Sequence, residues 1–360
     1  MFLLGNVQLS NALEAEVSAR SLVFNKGDEG SKYYRIPGLA VCKDGSIVAV
    51  ADKRWDSTAD LPGHIDVVCR RSTDGGLTWS DYITIAATDQ GGGYGDPAIG
   101  VDPLTGDLVC VMTHGRGLWD STADDHAVIT TSRSSDGGIT WSPAEPLKIK
   151  GNTLPEQFPS IEGFITSFAT SGEIAVSPTG RMLFALVVKD SIQDGGYLRV
   201  YAVRSDDGGK TWQITDKAVD KDGDESKIMA IDGKNLVMSI RNHRKNSRRF
   251  SLSHDGGITW SEPGHWTSLP DPACNGAIIK YDENLWLHTL PASAGKRVDA
   301  SLYASNDAGH TWQPILLICP APSAYTSMVK LHDGSIGVLT EEDASDDGWR
   351  LWFTRINLKK

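Results

Sequence analysis

The chain is poor in the features that usually place a protein quickly. No run of 18 apolar residues occurs in its 360 positions, so the sequence offers no membrane-spanning helix. Basic residues are the minority, 35 against 46 acidic ones, and the formal net charge is −11. That balance repels DNA, RNA and anionic lipid at long range and argues against a nucleic-acid partner. Cysteine is sparse and odd in number: Cys42, Cys69, Cys110, Cys274 and Cys319, with no C-x-x-C pair. Buried free thiols are expected rather than a disulfide framework or a zinc site. His64, His114 and His126 have no metal-like spacing, and no cofactor is called for. The opening MFLLGNVQLSNALEAEV has too short an apolar stretch and no basic start for a secretory signal. Helix-like periodicity is nearly absent after residue 21.

What the chain has instead is short alternating stretches and turns. Apolar residues make up 40% of it, enough for a sizeable core. Five octets follow S-x-D-x-G-x-T-W, starting at Ser72, Ser134, Ser205, Ser253 and Ser305, so 62, 71, 48 and 52 residues apart. Strand-like segments such as HIDVVCRR, HAVITTSR and YLRVYAVR precede them. In each octet the Asp can accept hydrogen bonds from backbone two or three residues on, and the Gly supplies positive φ. Thr and Trp then restart a strand. Repeats of this length, with about four strands each, predict propeller blades, because a small sheet needs neighbours over both faces. The expectation is an all-β, six-bladed β-propeller over residues 21–360. Residues 1–20 form an N-terminal extension, in which SNALEAEVSAR is read as a short helix capped by Ser10 or Asn11.

The octet is expected to be a turn rather than a calcium loop, since it lacks the several acidic ligands and the closing Glu that such a loop needs. DKDGDESKIMAI, starting at Asp220, fails the same test: Glu225 stands where the glycine belongs and Ile231 ends the loop. The unrepeated residues are therefore the better candidates for chemistry. They are Arg35 in KYYRIPGLA, Arg54 in ADKRW, Asp60 in DLPG, Glu225 and Arg241 in ESKIMAIDGKNLVMSIRN, Arg297 in GKRVDASLY and Tyr325 in PSAYTSM.

An R-I-P segment followed by several Asp boxes resembles the exo-α-sialidase family, and the likeness runs from about Leu22 to the end. The resemblance implies a retaining glycosidase site on the propeller axis. It makes Arg35, Arg241 and Arg297 an arginine triad, Asp60 the acid/base, and Glu225 and Tyr325 the base and nucleophile. Arg54 and Asp96, the latter in GYGDPA, match residues near the sugar 4-hydroxyl. Glu341 matches the carboxylate that holds the first triad arginine, although Thr340 stands where a tyrosine is expected.

The chemistry asks for these residue types. Three guanidiniums can grip the carboxylate that a sialic acid carries on its anomeric carbon. The same carboxylate would repel an Asp or Glu nucleophile, which favours tyrosine, a known exception among glycosidases. A phenol with a pKa near ~10 is only about 0.1% ionised at pH 7 and needs a base beside it. Rivals are visible in the sequence. WDSTAD occurs twice, so Asp124 competes with Asp60, and Tyr303 and Tyr281 compete with Tyr325. Trp119, Trp55 and Phe168 are candidate pocket walls. The expected partners are sialylated glycans on glycoproteins or glycolipids, which puts the working protein in the periplasm or outside the cell, against the face value of the first residues. The same site would serve a deaminated nonulosonic acid, or transfer in place of hydrolysis; a non-catalytic glycan-binding propeller would lack the Glu–Tyr pair.

Overall fold

The computed structural model describes residues 13–88, 92–150, 161–192, 194–342 and 348–359. Among them helix is confined to one 3-10 turn, Asp28–Gly30, and the other regular elements are strands. The first meander shows why the sequence reads as it does. Tyr33–Val41, Ile47–Arg54, Ile65–Ser72 and Ile83–Ala86 pair in order, antiparallel throughout. In Ile47–Arg54, Val48 and Val50 pack with Ile99 and Leu108 of the next meander. Ile47, Ala49 and Ala51 pack the opposite way, against Leu339 and Phe353 near the C-terminus. A strand covered on both faces is apolar at consecutive positions, which explains why IVAVA does not alternate.

The pattern continues around the chain. Further antiparallel meanders are built on Tyr94–Val101, Met182–Asp190 and Ser226–Ala230. A seven-stranded sheet runs through the 18-residue strand Gln313–Lys330, whose first part pairs with Val298–Ser305 and whose second part pairs with Ile336–Glu342. Apolar clusters lie between successive meanders, and one of them joins the last meander back to the first, so the arrangement closes on itself. The five cysteines are buried and free, as expected, three of them in the cluster between the first two meanders.

The N-terminus departs from expectation. Glu14–Phe24 is a strand, not a helix, and it pairs antiparallel with Arg350–Lys359 as the outer edge of the last meander. The expected caps Ser10 and Asn11 lie outside the described residues. The boundary at residue 20 therefore cuts through a strand: the Ala- and Glu-rich segment has helix propensity, but a ladder along a free sheet edge outweighs it. Arg20 also pairs with Glu342 at 2.5 Å, and Ser21 donates to the Gly76 carbonyl at 2.6 Å.

The octets are turns with one repeated hydrogen-bond set. Asp74 accepts from Leu77 N and Thr78 N, both at 3.0 Å, and from the Thr78 hydroxyl at 2.6 Å, while Ser72 Oγ accepts from Gly76 N at 2.8 Å. Asp136, Asp207 and Asp255 repeat the scheme, and Asp307 repeats its Thr and Ser bonds. Each turn also plugs into its neighbour. A β-carbon on Gly76, at φ +90°, would stand 2.1 Å from the Phe353 ring. Arg71, Arg133 and Arg181 reach out of the preceding meander to the Gly137, Gly208 and Gly256 carbonyls at 3.0, 2.6 and 2.7 Å.

Candidate active site

Arg35 points off the sheet because its strand is broken on purpose. The register slips between Arg35 and Gly38, and Ile36 sits at φ +62° in front of Pro37, a strained conformation for a β-branched residue. Glu341, fully buried on Ile336–Glu342, holds it there. Its Oε1 accepts from Arg35 Nε at 3.1 Å and Ile36 N at 2.9 Å, and its Oε2 accepts from Arg35 Nη2 at 3.1 Å and Tyr325 N at 3.2 Å. The next meander repeats the device: the register slips between Gly95 and Ala98, Asp96 has φ +55° before Pro97, and its N–H donates to Asp52 Oδ1 at 3.0 Å. Thr340, where the resemblance expected a tyrosine, is buried and its hydroxyl has no partner among the described residues.

Arg54 does not reach the cleft. It is 1% exposed and pinned between Asp52 Oδ2 at 2.8 Å, Asp60 Oδ1 at 2.8 Å and the Thr58 carbonyl. Arg54 thus holds the loop that carries Asp60. That loop leans on Gly117, where a β-carbon would stand 1.7 Å from the Leu61 carbonyl oxygen. Asp60 itself is 80% exposed at the cleft mouth. Its rival Asp124 is exposed and is not part of the cleft wall.

On the axis, the Tyr325 hydroxyl donates to Glu225 Oε2. Arg241 Nη1 donates to the same carboxylate oxygen and to Tyr325 Oη at 2.9 Å, while its Nε lies 3.2 Å from Asp224 Oδ2. The guanidinium carbons of Arg35 and Arg297 stand 5.2 and 5.3 Å from the Tyr325 ring centroid, within cation–π range. Arg297 is aimed by a bond from Nη2 to the Ala273 carbonyl at 2.8 Å. Burial and the Glu225 charge push the Tyr325 phenol well above its ordinary value, although all three arginines pull it down. The phenol is therefore protonated at rest and its proton already points at a carboxylate. Burial, together with Asp52, Asp60 and Glu225, likewise raises Asp96, and burial outweighs Arg241 in raising Asp224.

These side chains share a cleft of about 230 Å³ lined by Arg35, Asp60, Asp96, Glu225, Arg241, Arg297 and Tyr325. Phe168 and Trp119 also line it, whereas Trp55 stacks on His64 instead. Among the wall residues that escaped the sequence, the charged or aromatic ones are Asp224, Arg116 and Tyr197. Asp224 adjoins Glu225 and the acidic doublet could have flagged it; nothing in GGYL distinguishes Tyr197. Among the described residues no three His, Cys, Asp or Glu gather as a metal site, and no helix is long and apolar enough to cross a membrane.

Known proteins share this sequence and this shape. The BNR repeat-like domain family matches residues 53–338. A sialidase of Micromonospora viridifaciens is 32% identical over 342 residues, 88% of this chain and 50% of that protein. A sialidase of Bacteroides fragilis is 28% identical over 368 residues, 94% of this chain and 64% of that protein. The chain thus spans between half and two thirds of the length of these relatives. Among solved structures, the Hadza microbial sialidase Hz136 superposes with a TM-score of 0.82 at 26% identity, covering 93% of this chain and 68% of that one. The chain belongs to the BNR repeat-like domain family, and its fold is the β-propeller of its sialidase relatives.

Proposed function

We propose that the cleft is that of a retaining exo-α-sialidase on a six-bladed propeller, which releases terminal α-linked sialic acid from glycoproteins or glycolipids. The blade count follows from taking the seven-stranded sheet as two blades, divided along Gln313–Lys330, beside the four other sheets. The observation that carries the reaction is the Tyr325 hydroxyl donating to Glu225 with three guanidiniums around it. Arg35, Arg241 and Arg297 receive the sugar carboxylate. Tyr325 oxygen then bonds to the anomeric carbon as its proton passes to Glu225, while the bond to the aglycone oxygen breaks and Asp60 protonates it. In the second half Asp60 takes a proton from water, whose oxygen replaces Tyr325 at the anomeric carbon, and Glu225 returns the proton to the phenol. Two inversions leave the configuration unchanged. Asp60 suits the outer role because its loop stands at the mouth, where leaving group and water pass. Such substrates lie outside the cytoplasm, which places the working protein in the periplasm or the medium.

The test is hydrolysis of an aryl α-sialoside with the first-formed anomer read by NMR. The α-anomer is expected, and Tyr325→Phe lowers kcat by at least about a thousandfold. A β-anomer formed first would overturn the tyrosyl route, and no release of any nonulosonic acid by the wild-type protein would overturn the activity. Products formed with excess lactose separate hydrolysis from transfer.

A further inference from the structure

Below the Glu225–Tyr325 pair the axis holds a buried cation that the reaction as described does not use. Lys227 is 3% exposed and its Nζ has no hydrogen-bond partner among the described residues. It follows Glu225 by two positions, where the chain is already laddered by Arg241 N to the Glu225 carbonyl at 3.0 Å, so the pleat turns both side chains to one face. The ammonium end reaches across to Gly172. A β-carbon there would stand 2.8 Å from Lys227 Cε and 2.9 Å from Nζ, so the glycine makes the room. Neighbouring Glu173 gives its carboxylate to the Ser327 hydroxyl and to Met328 N at 2.8 Å instead. Ser327 follows Tyr325 by two positions, so a second polar layer lies under the catalytic one.

The charged groups facing Lys227 are Glu173, Glu225 and Asp96 on the anionic side and Arg248 on the cationic side. Glu225 in turn meets Tyr325, Arg241 and Asp224. Burial brings the Lys227 amine down to about 8, against the pull of Glu173 and Glu225. It therefore stays charged across the range in which carboxylates titrate. An unpaired buried ammonium lowers stability.

We propose that Lys227 is a positioning residue for the proton transfer between Tyr325 and Glu225: an uncommitted ammonium that sets the charge balance around the pair while leaving the Glu225 oxygens to Tyr325 and Arg241. Its catalytic meaning rests on the sialidase reading; its effect on the charge balance of the axis does not.

Two variants and two readouts decide it. Lys227→Met removes the charge at nearly constant volume. The acid limb of its kcat profile is expected to move up by about one pH unit, a roughly tenfold loss at the foot of that limb, with KM little changed and the melting temperature unchanged or higher. Glu173→Gln removes an opposing charge, and its limb moves the opposite way, to lower pH. Proton uptake between pH 7 and 5, measured by titration of the folded proteins, reads the same balance without substrate: Lys227→Met takes up more protons than wild type and Glu173→Gln fewer. Unshifted acid limbs or equal proton uptake would overturn the proposal. A wild-type protein that hydrolyses no sialoside would sink the functional reading alone, and the proton titration would still decide the claim about Lys227.

Discussion

Around the first arginine, four hydrogen bonds converge on the two oxygens of Glu341, from the Arg35 side chain, Ile36 N and Tyr325 N. Both oxygens are filled, so replacing either with an NH2 group sets donor against donor. Glu341→Gln is expected to cost about 3 kcal/mol, the range for breaking one side of a buried ion pair, and to raise KM about tenfold by loosening Arg35. Denaturant unfolding and steady-state kinetics on the same preparation check both. Arg54 shows the limit of reading single residues. The resemblance matches it to a substrate contact, and in the fold Asp52 and Asp60 hold its guanidinium. Sequence spacing gives which residue is present and not which neighbour its side chain meets.

Among the elements, the octet is the most legible because its bonds are local. Asp136 reaches only to Ser134, Ile139 and Thr140, so the turn can be written down from the sequence around it. Asp136→Ala removes these bonds on an exposed loop and is expected to lower stability by about 2 kcal/mol, with kcat unchanged because the turn is no part of the cleft wall. Thermal unfolding beside an aryl-glycoside assay tests the pair of outcomes. The strand Glu14–Phe24 was illegible for the opposite reason. Its partner, Arg350–Lys359, lies at the other end of the chain, and nothing within EAEVSARSLVF announces that edge.

Over the whole molecule, two families of carboxylates titrate in opposite directions. In the octets burial works against ionisation, yet the hydrogen bonds from the Thr and Ser of each turn hold Asp74, Asp136 and Asp255 down to about 2. Their stabilisation is complete above the unfolded value of about 4 and is lost as pH falls toward 2. On the axis, burial and the neighbouring acid Asp60 raise Asp52 to about 6, against the pull of Arg54, and Asp96, Asp224 and Glu173 are raised as well. A raised carboxyl favours the folded state below its unfolded value, and that benefit is lost as pH climbs through the folded one. Guanidinium unfolding midpoints are therefore expected to rise from pH 8 to about 5 and to fall steeply below about 4; a midpoint flat from 8 to 5 would contradict the axial half. By itself the sequence determined the strand-and-turn repeat, the all-β class and the identities of the axial residues, because turn chemistry and two-sided burial are written within a few neighbouring positions. Only the tertiary structure decided that Arg54 is buried between Asp52 and Asp60, that the N-terminal strand completes the last meander, and that Lys227 lies unpaired beneath the Tyr325–Glu225 pair. The last two depend on groups far apart in the chain that meet only when the ring of sheets closes, whereas Arg54 meets sequence neighbours that only the folded loop brings to its guanidinium.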